Sequence, residues 1–284
     1  MKIVVVGAKG MLGTDALAAC RAAGMETVGL DLPEFDITDR EQVCEGLPTA
    51  DWVLNCAAYT QVDLAETERD AAHRVNATGA QHVAEASARI GARLIYMSTD
   101  YVFDGTKQTP YVEDDAPNPL SWYGQTKLEG ERVSRAACEA TLVVRTQSLF
   151  GVHGRNFVAT IARLLKEGKP LRVVGDQTHC PTYTGHLAEA LVALMQTGKT
   201  GTVHVASSSS CTWFEFARAI AERVKPDADI TPITAAEYGA AAPRPPHSVL
   251  STARYIEWTG KTMPTWPAAL AAYFEALHEQ NGLA

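Results

Sequence analysis

The stretch SWYGQTKLEGE, beginning at Ser121, sets Tyr123 and Lys127 four residues apart. On a helix that spacing puts both side chains on one face. An ammonium beside a phenol favours the phenolate and draws its pKa down from roughly 10, which makes Tyr123 a usable proton donor near neutrality. Tyr-x-x-x-Lys also occurs on ordinary helix surfaces, so the pair gains meaning only from its company. The segment YMSTDYVF brings Ser98, Thr99, Asp100 and Tyr101 to the end of an apolar run that reads as a strand. A Thr99 hydroxyl placed there would hydrogen-bond a carbonyl oxygen and hold it for protonation as hydride reaches the carbon. Hydroxyls and an acid at a strand end also fit plain turn chemistry.

The hydride would need a carrier, and GAKGMLG, Gly7 to Gly13, is the segment that could hold one. It directly follows KIVVV and opens a helical pattern, the context in which a glycine fingerprint is credible. Gly7 permits the tight turn, Gly10 lets the backbone approach a pyrophosphate, and Gly13 lets helix and sheet pack closely. Met11 and Leu12 then fall at the helix start, whose N–H groups face phosphates. The G-x-x-G-x-x-G spacing resembles the extended short-chain dehydrogenase/reductase superfamily. Asp31, at the end of TVGLD, falls where an acid commonly meets the adenosine ribose hydroxyls, which would favour NADH over NADPH. An acid in a strand-to-helix loop has other uses, so the cofactor remains NADPH or NADH.

These groups must be positioned by a scaffold, and the apolar patterning names it. KIVVVG, ETVGLD, DWVLNCAA, RLIYMSTD and TLVVRTQSLFG alternate with helical stretches, including a long Ala-rich one from Asp70 to Ile90. Continuous apolar strands separated by helices signal a parallel sheet covered on both faces. The expected fold is α/β, a Rossmann-like doubly wound parallel sheet in residues 1–150, with a smaller, strand-poor substrate-binding lobe over 151–284 and chain exchange back toward the first domain. In such a sheet ligands lie beyond the carboxyl ends of the strands. The segments GAKG, NCAAYT and STDYVFDG would therefore converge on one site.

Composition removes other classes. With 284 residues, 46% hydrophobic and 20% charged, the chain is an ordinary globular protein. A formal net charge of −8 without a basic cluster argues against nucleic acid as partner. The six scattered cysteines lack C-x-x-C spacing, no apolar run approaches the roughly 18 residues of a membrane span, and MKIVVVGAKG leaves no room for a signal peptide, so the expected location is the cytoplasm.

Taken together, GAKGMLG, DITD, NCAAYTQVDLAE, RVNATGA, STDYVFDG, YGQTK, GDQTHCPT and RPPHSVLST resemble the dTDP-4-dehydrorhamnose reductase family over nearly the whole chain. The resemblance implies NAD(P)H-dependent reduction of the 4-keto group of dTDP-6-deoxy-L-lyxo-4-hexulose to dTDP-L-rhamnose. Carried over residue by residue, it makes Thr99 and Tyr123 the catalytic hydroxyls and Lys127 the tuner. It places Gly7, Gly10, Met11, Leu12, Asp36, Ile37, Ala57, Ala58 and Tyr59 around the cofactor, and offers Asp100, Tyr101, Asn156 and Arg244 as sugar and nucleotide contacts. Two departures stand out. Where the family often carries R-T-S-W, this chain reads RTQSLFG, with Gln147 and Ser148, so an aromatic wall against the sugar is missing or comes from elsewhere. Some members hold a divalent ion at a homodimer contact; Asp15 is acidic at one such place but Gly185 occupies another, so no metal is expected and the homodimer stays an open expectation.

Other residues have plain readings beside functional ones. His73, His82 and His204 are expected as packed or surface residues, Trp213 and Trp258 as packing residues, and Glu129 and Glu131 as a solvated helix face. His153, His179 and His247, in loops, could touch a phosphate, and Arg244 in PRPPHS could either hold pyrophosphate or sit in a solvated loop. Two other functions compete with the reductase: an epimerase or dehydratase of the same superfamily, and a non-catalytic nucleotide-binding regulatory subunit.

Overall fold

The computed structural model describes residues 1–282. Six parallel strands form the central sheet: β1 (Lys2–Val6), β2 (Glu26–Leu30), β3 (Trp52–Asn55), β4 (Arg93–Thr99), β5 (Thr141–Thr146) and, from the second half of the chain, a strand at Gly201–His204. Leaving β6 for Leu171–Val174, that strand is β7, and the sheet order is β7-β5-β4-β3-β1-β2. From β1 the chain steps first to β2 on one side and then to β3 on the other. The order therefore reverses between β1 and β3, the place where such sheets open a crevice for ligands.

Alternate residues of each strand feed two layers. Ile3 and Val5 pack with Ile95, Val144 and the helices α1 (Met11–Ala22) and Thr184–Thr197 on one face. Val4 and Val6 pack with Val53, Leu94 and Val83 on the other, where α2 (Arg40–Gly46) and Ala80–Arg89 cover the sheet. Among the described residues no helix is long and apolar enough to cross a membrane.

The helix expected from Asp70 to Ile90 is three pieces: α3 (Arg69–His73), a π-helical stretch at Arg74–Gly79, and α4 (Ala80–Arg89). The widened turn carries Asn76, fully buried, whose carboxamide accepts from Tyr59 N–H (2.9 Å) and donates to Tyr59 O (3.1 Å) and Thr126 Oγ1 (3.0 Å). A π-bulge is a frequent device for aiming a side chain at a site. Here Asn76 ties the loop after β3 to the helix of the Tyr-x-x-x-Lys pair, α5 (Trp122–Ala137).

The second half of the chain contributes both to the central sheet and to a smaller unit. After α6 (Phe157–Lys166) and β6, the chain sends α7 (Thr184–Thr197) and β7 back to the central sheet, β7 pairing with β5. It then builds a smaller unit from α8 (Trp213–Val224), β8 (Ile230–Ile233) paired in parallel with β6, and α9 (Trp266–Gly282). Phe150, Ile161, Leu165, Phe216, Ile220 and Tyr273 form its separate core.

Candidate active site

At the reversal point, Gly7 has φ +79°, and a Cβ there would stand 2.6 Å from Ala57 N, so only glycine fits against the loop after β3. A Cβ on Gly13 would strike the Gly7 carbonyl, so helix and turn touch without side chains between them. The first backbone bond of α1 runs from Thr14 N–H to Gly10 O, no side chain caps the helix, and no acid lies in its first turn. The leading N–H groups, Met11, Leu12 and Gly13 among them, thus stand ready for an anion, and Gly7, Gly10, Met11, Leu12 and Gly13 line a cavity of about 640 Å³. A second cavity of about 480 Å³ shares Gly7, Gly10 and Ala58 with it and adds Asp31, Asp36, Ile37, Ala57 and Tyr59. Pyrophosphate at the glycine turn and adenosine toward Asp31 is the arrangement these two connected spaces fit.

Within that lining, Asp31 accepts from Lys9 N–H (2.6 Å) and Leu32 N–H (2.7 Å), which fix its carboxylate beside the smaller cavity. Asp36 spends one oxygen on the backbone and hydroxyl of Thr38, and the Tyr59 hydroxyl donates to Glu68.

The three expected catalytic residues come together on the larger cavity with Asp100 and Tyr101. Ser121 caps α5 through Gly124 N–H, so Tyr123 enters in the first turn and Lys127 one turn later. Thr99 ends β4; its hydroxyl donates to Asp100 Oδ1 (3.0 Å) and accepts from Tyr101 N–H (3.2 Å). The Tyr101 and Tyr123 rings meet edge to face at 5.5 Å. Burial raises the Asp100 carboxyl to about 6, against the pull of Ser248 and Thr99.

The electrostatics differ from the expected tuning. Burial, and after it the Asp100 carboxylate, push the Tyr123 phenol above its usual range, with a hydrogen bond to Thr99 opposing them. The Lys127 ammonium is engaged with other groups. It donates to Met97 O at 2.6 Å and lies 4.3 Å from the centre of the Tyr96 ring. Burial lowers its pKa to about 7, with Glu131 and Cys56 opposing. Tyr123 is therefore a neutral phenol, the form a proton donor requires, and its acidity is not raised by the lysine in this arrangement.

Glu131 is not on a solvated face: it is buried and bridges Ser98 and Arg145 behind the site. Asn156 caps α6 through Ala159 N–H and donates to Gly151 O, so its polar atoms are committed to the scaffold. His153 faces Asp15 at 3.5 Å, and His247 Nδ1 is buried without a partner. His179 is buried with its ring stacked 3.8 Å from Trp213.

Beyond Tyr101 opens a groove of about 750 Å³ between α6, β6 and the 235–244 segment. Arg244 lines it, held by a two-pronged pair to Asp63 (3.0 and 2.8 Å). Trp213, expected as a packing residue, is half-buried at the start of α8 and lines both this groove and the catalytic cavity. It presents to the cavity an aromatic surface that Gln147 and Ser148 do not. Nothing in local sequence marks it, because only the packing of α8 against α6 brings it there.

The arrangement has known counterparts. A family model described as RmlD substrate binding domain matches residues 1–279. The chain is 39% identical over 282 residues to dTDP-4-dehydrorhamnose reductase of Mycobacterium tuberculosis, covering 97% of this chain and 93% of that one. It is 40% identical over 276 residues to the spore coat polysaccharide biosynthesis protein SpsK of Bacillus subtilis, covering 96% and 97%. A dTDP-4-dehydrorhamnose reductase from Bacillus anthracis, solved in complex with NADP, superposes with a TM-score of 0.93 at 37% identity, covering 97% of this chain and 99% of that one. By its full-length match and its glycine-turn and Tyr-x-x-x-Lys geometry, the chain belongs to the dTDP-4-dehydrorhamnose reductase family.

Proposed function

We propose that this protein reduces the 4-keto group of a dTDP-6-deoxy-hexulose with NADPH or NADH, converting dTDP-4-dehydrorhamnose to dTDP-L-rhamnose in the cytoplasm. The observation that carries the reading is the meeting of Thr99, Tyr123 and Lys127 on a cavity that also exposes the uncapped start of α1. Gly7, Gly10, Met11, Leu12 and Gly13 would hold the dinucleotide's pyrophosphate, with Asp31, Asp36, Ile37, Ala57, Ala58 and Tyr59 around its adenosine end. The six unpaired cysteines fit a reducing compartment.

When bound, the nicotinamide supplies hydride. The protein's part is positional and protic. The Thr99 hydroxyl orients the carbonyl oxygen, and the neutral Tyr123 phenol gives that oxygen its proton as negative charge develops. Lys127, one helical turn away on the same cavity, would hold the ribose of the nicotinamide when the cofactor is bound. Asp100 and Tyr101 contact the sugar, Trp213 covers its apolar face, and Arg244 faces the nucleotide along the groove that leads from the site. Asn156 contributes by fixing the start of α6.

The deciding experiment follows NADPH and NADH oxidation by absorbance with enzymatically generated dTDP-4-keto-6-deoxy-L-lyxo-hexulose. Stoichiometric oxidation with a dTDP-6-deoxyhexose product supports the reductase. Turnover of the sugar without net cofactor oxidation would mean an epimerase or dehydratase, and tight cofactor binding without turnover a regulatory subunit.

A further inference from the structure

Gln147, the first residue after β5, stands where this chain departs from the R-T-S-W pattern. Its side chain is buried, and its Oε1 accepts from Cys180 N–H at 2.9 Å and from Ser248 Oγ at 3.5 Å. A backbone N–H can only donate, so the Cys180 contact fixes which end of the carboxamide is oxygen. The amide NH2 end, directed elsewhere, has no partner in the protein. A buried donor left unpaired is costly and calls for an explanation.

The location supplies one. Gln147 lines the same cavity as Thr99, Asp100 and Tyr123. Its neighbour Thr146 has a buried, unpartnered hydroxyl and lines that cavity too. The following residue, Ser148, has φ +48°, the one positive φ outside glycine among the described residues. Such backbone strain persists only where surrounding structure enforces it. The oxygen end of Gln147 is anchored beside Asp100: the Ser248 hydroxyl that it meets also lies close enough to Asp100 to lower its pKa. A carboxamide NH2 offers two donors, and a hexulose presents hydroxyl oxygens as acceptors.

We infer that Gln147 is a specificity-determining substrate contact whose free amide donates to a hydroxyl oxygen of the bound hexulose, an assignment that rests on the sugar-nucleotide reading above. It adds a hydrogen bond beside Ser148, the position at which the R-T-S-W pattern carries its tryptophan. The change alters what the site rejects, because a pocket built to hydrogen-bond a hydroxyl discriminates strongly against an analogue lacking it.

The test compares wild type with Gln147→Glu, which keeps an acceptor for Cys180 but removes the amide donor, and with Gln147→Met, which has no polar end. Each is assayed with dTDP-4-keto-6-deoxy-L-lyxo-hexulose and with its 2-deoxy and 3-deoxy counterparts, beside inhibition by dTDP and the Kd for NADPH. Both variants should lose about 30-fold or more in kcat/KM on the parent substrate, with dTDP and NADPH affinities within about threefold of wild type. One deoxy substrate should show a comparable loss with wild type and no further loss with Gln147→Met, the signature of a shared contact.

Unchanged kinetics in both variants, or NADPH affinity falling in step with sugar turnover, overturns the assignment. If neither variant binds NADPH or dTDP, wild type alone decides, and equal turnover of parent and both deoxy sugars overturns it. A wild-type protein that oxidises neither cofactor with the parent substrate overturns the reductase reading, and the sugar contact with it.

Discussion

The Glu131 carboxylate grips the Arg145 guanidinium through two hydrogen bonds of 2.8 Å and takes a third, at 2.5 Å, from the Ser98 hydroxyl. All three side chains are buried. This joins α5, which carries Tyr123 and Lys127, to β4 and β5, which end at Thr99 and Thr146. Removing one partner of a buried pair leaves an uncompensated charge, typically at a cost of about 3–5 kcal/mol. Glu131→Ala should therefore lower unfolding free energy by about that much in denaturant titrations. A loss below about 1 kcal/mol would mean that the pair is solvated and does not brace the site.

Glu131 also marks where reading the sequence stops. In KLEGE it resembles any exposed helical acid, and its partners Ser98 and Arg145 lie on two strands that only tertiary packing brings beside it. The Tyr-x-x-x-Lys pair, the glycine turn and the STD strand end were legible because their geometry is local: four residues along a helix, or the last residue of an apolar run. The strand GTVH was not, since four residues at a sheet edge carry little pattern and its place follows from pairing with β5. The helical run expected from Asp70 to Ile90 is present, but apolar periodicity does not register the π-helical stretch within it that aims Asn76 at Tyr59 and Thr126.

Tyr123→Phe should lower kcat by about 10²–10⁴-fold, the usual contribution of a positioned proton donor. NADPH affinity, read by fluorescence titration, should stay nearly constant, because the phenol acts in the transition state. An equal loss in cofactor binding would reassign the tyrosine to the cofactor site.

Asp31 should set the balance between the two cofactors. Its carboxylate, fixed by Lys9 and Leu32 N–H groups, would repel a phosphate on the adenosine ribose while accepting from a free diol. Asp31→Ala is expected to move the ratio of kcat/KM for NADPH over NADH upward by about tenfold, an effect of roughly 1.4 kcal/mol. A ratio that does not move would place the ribose away from this acid.

His179 gives a pH dependence of definite sign. Burial lowers its pKa to about 3, so between that value and its ordinary 6.5 the unfolded chain binds a proton that the folded protein does not. Stability from this residue is complete above about pH 6.5 and is lost as pH falls, by about 2 kcal/mol at pH 5. His204, likewise lowered to about 3 by burial, adds a parallel loss, whereas Asp100, raised to about 6, loses stability as pH rises from about 4 to 6. Because these overlap, the informative quantity is a difference. His179→Phe retains a ring against Trp213 and should reduce the fall in unfolding free energy between pH 7.5 and 5 by about 2 kcal/mol. An unchanged fall would show that the imidazole takes up its proton in the folded state.

Trp213 tests whether the aromatic wall has moved from the first domain to the second. Its ring lines the Tyr123 cavity and the groove beyond Tyr101 at once, and His179 and Phe157 pack against it, fixing its plane. A half-buried aromatic backed in this way presents a rigid apolar surface at little entropic cost, which suits the hydrophobic face of a 6-deoxy sugar. Trp213→Ala should raise KM for the keto-sugar by about 10–100-fold and leave NADPH affinity within about threefold, and Trp213→Phe should recover most of the loss. If alanine instead weakens dTDP inhibition as much as it raises KM for the sugar substrate, the ring serves the nucleotide, and the sugar would be held without an aromatic wall.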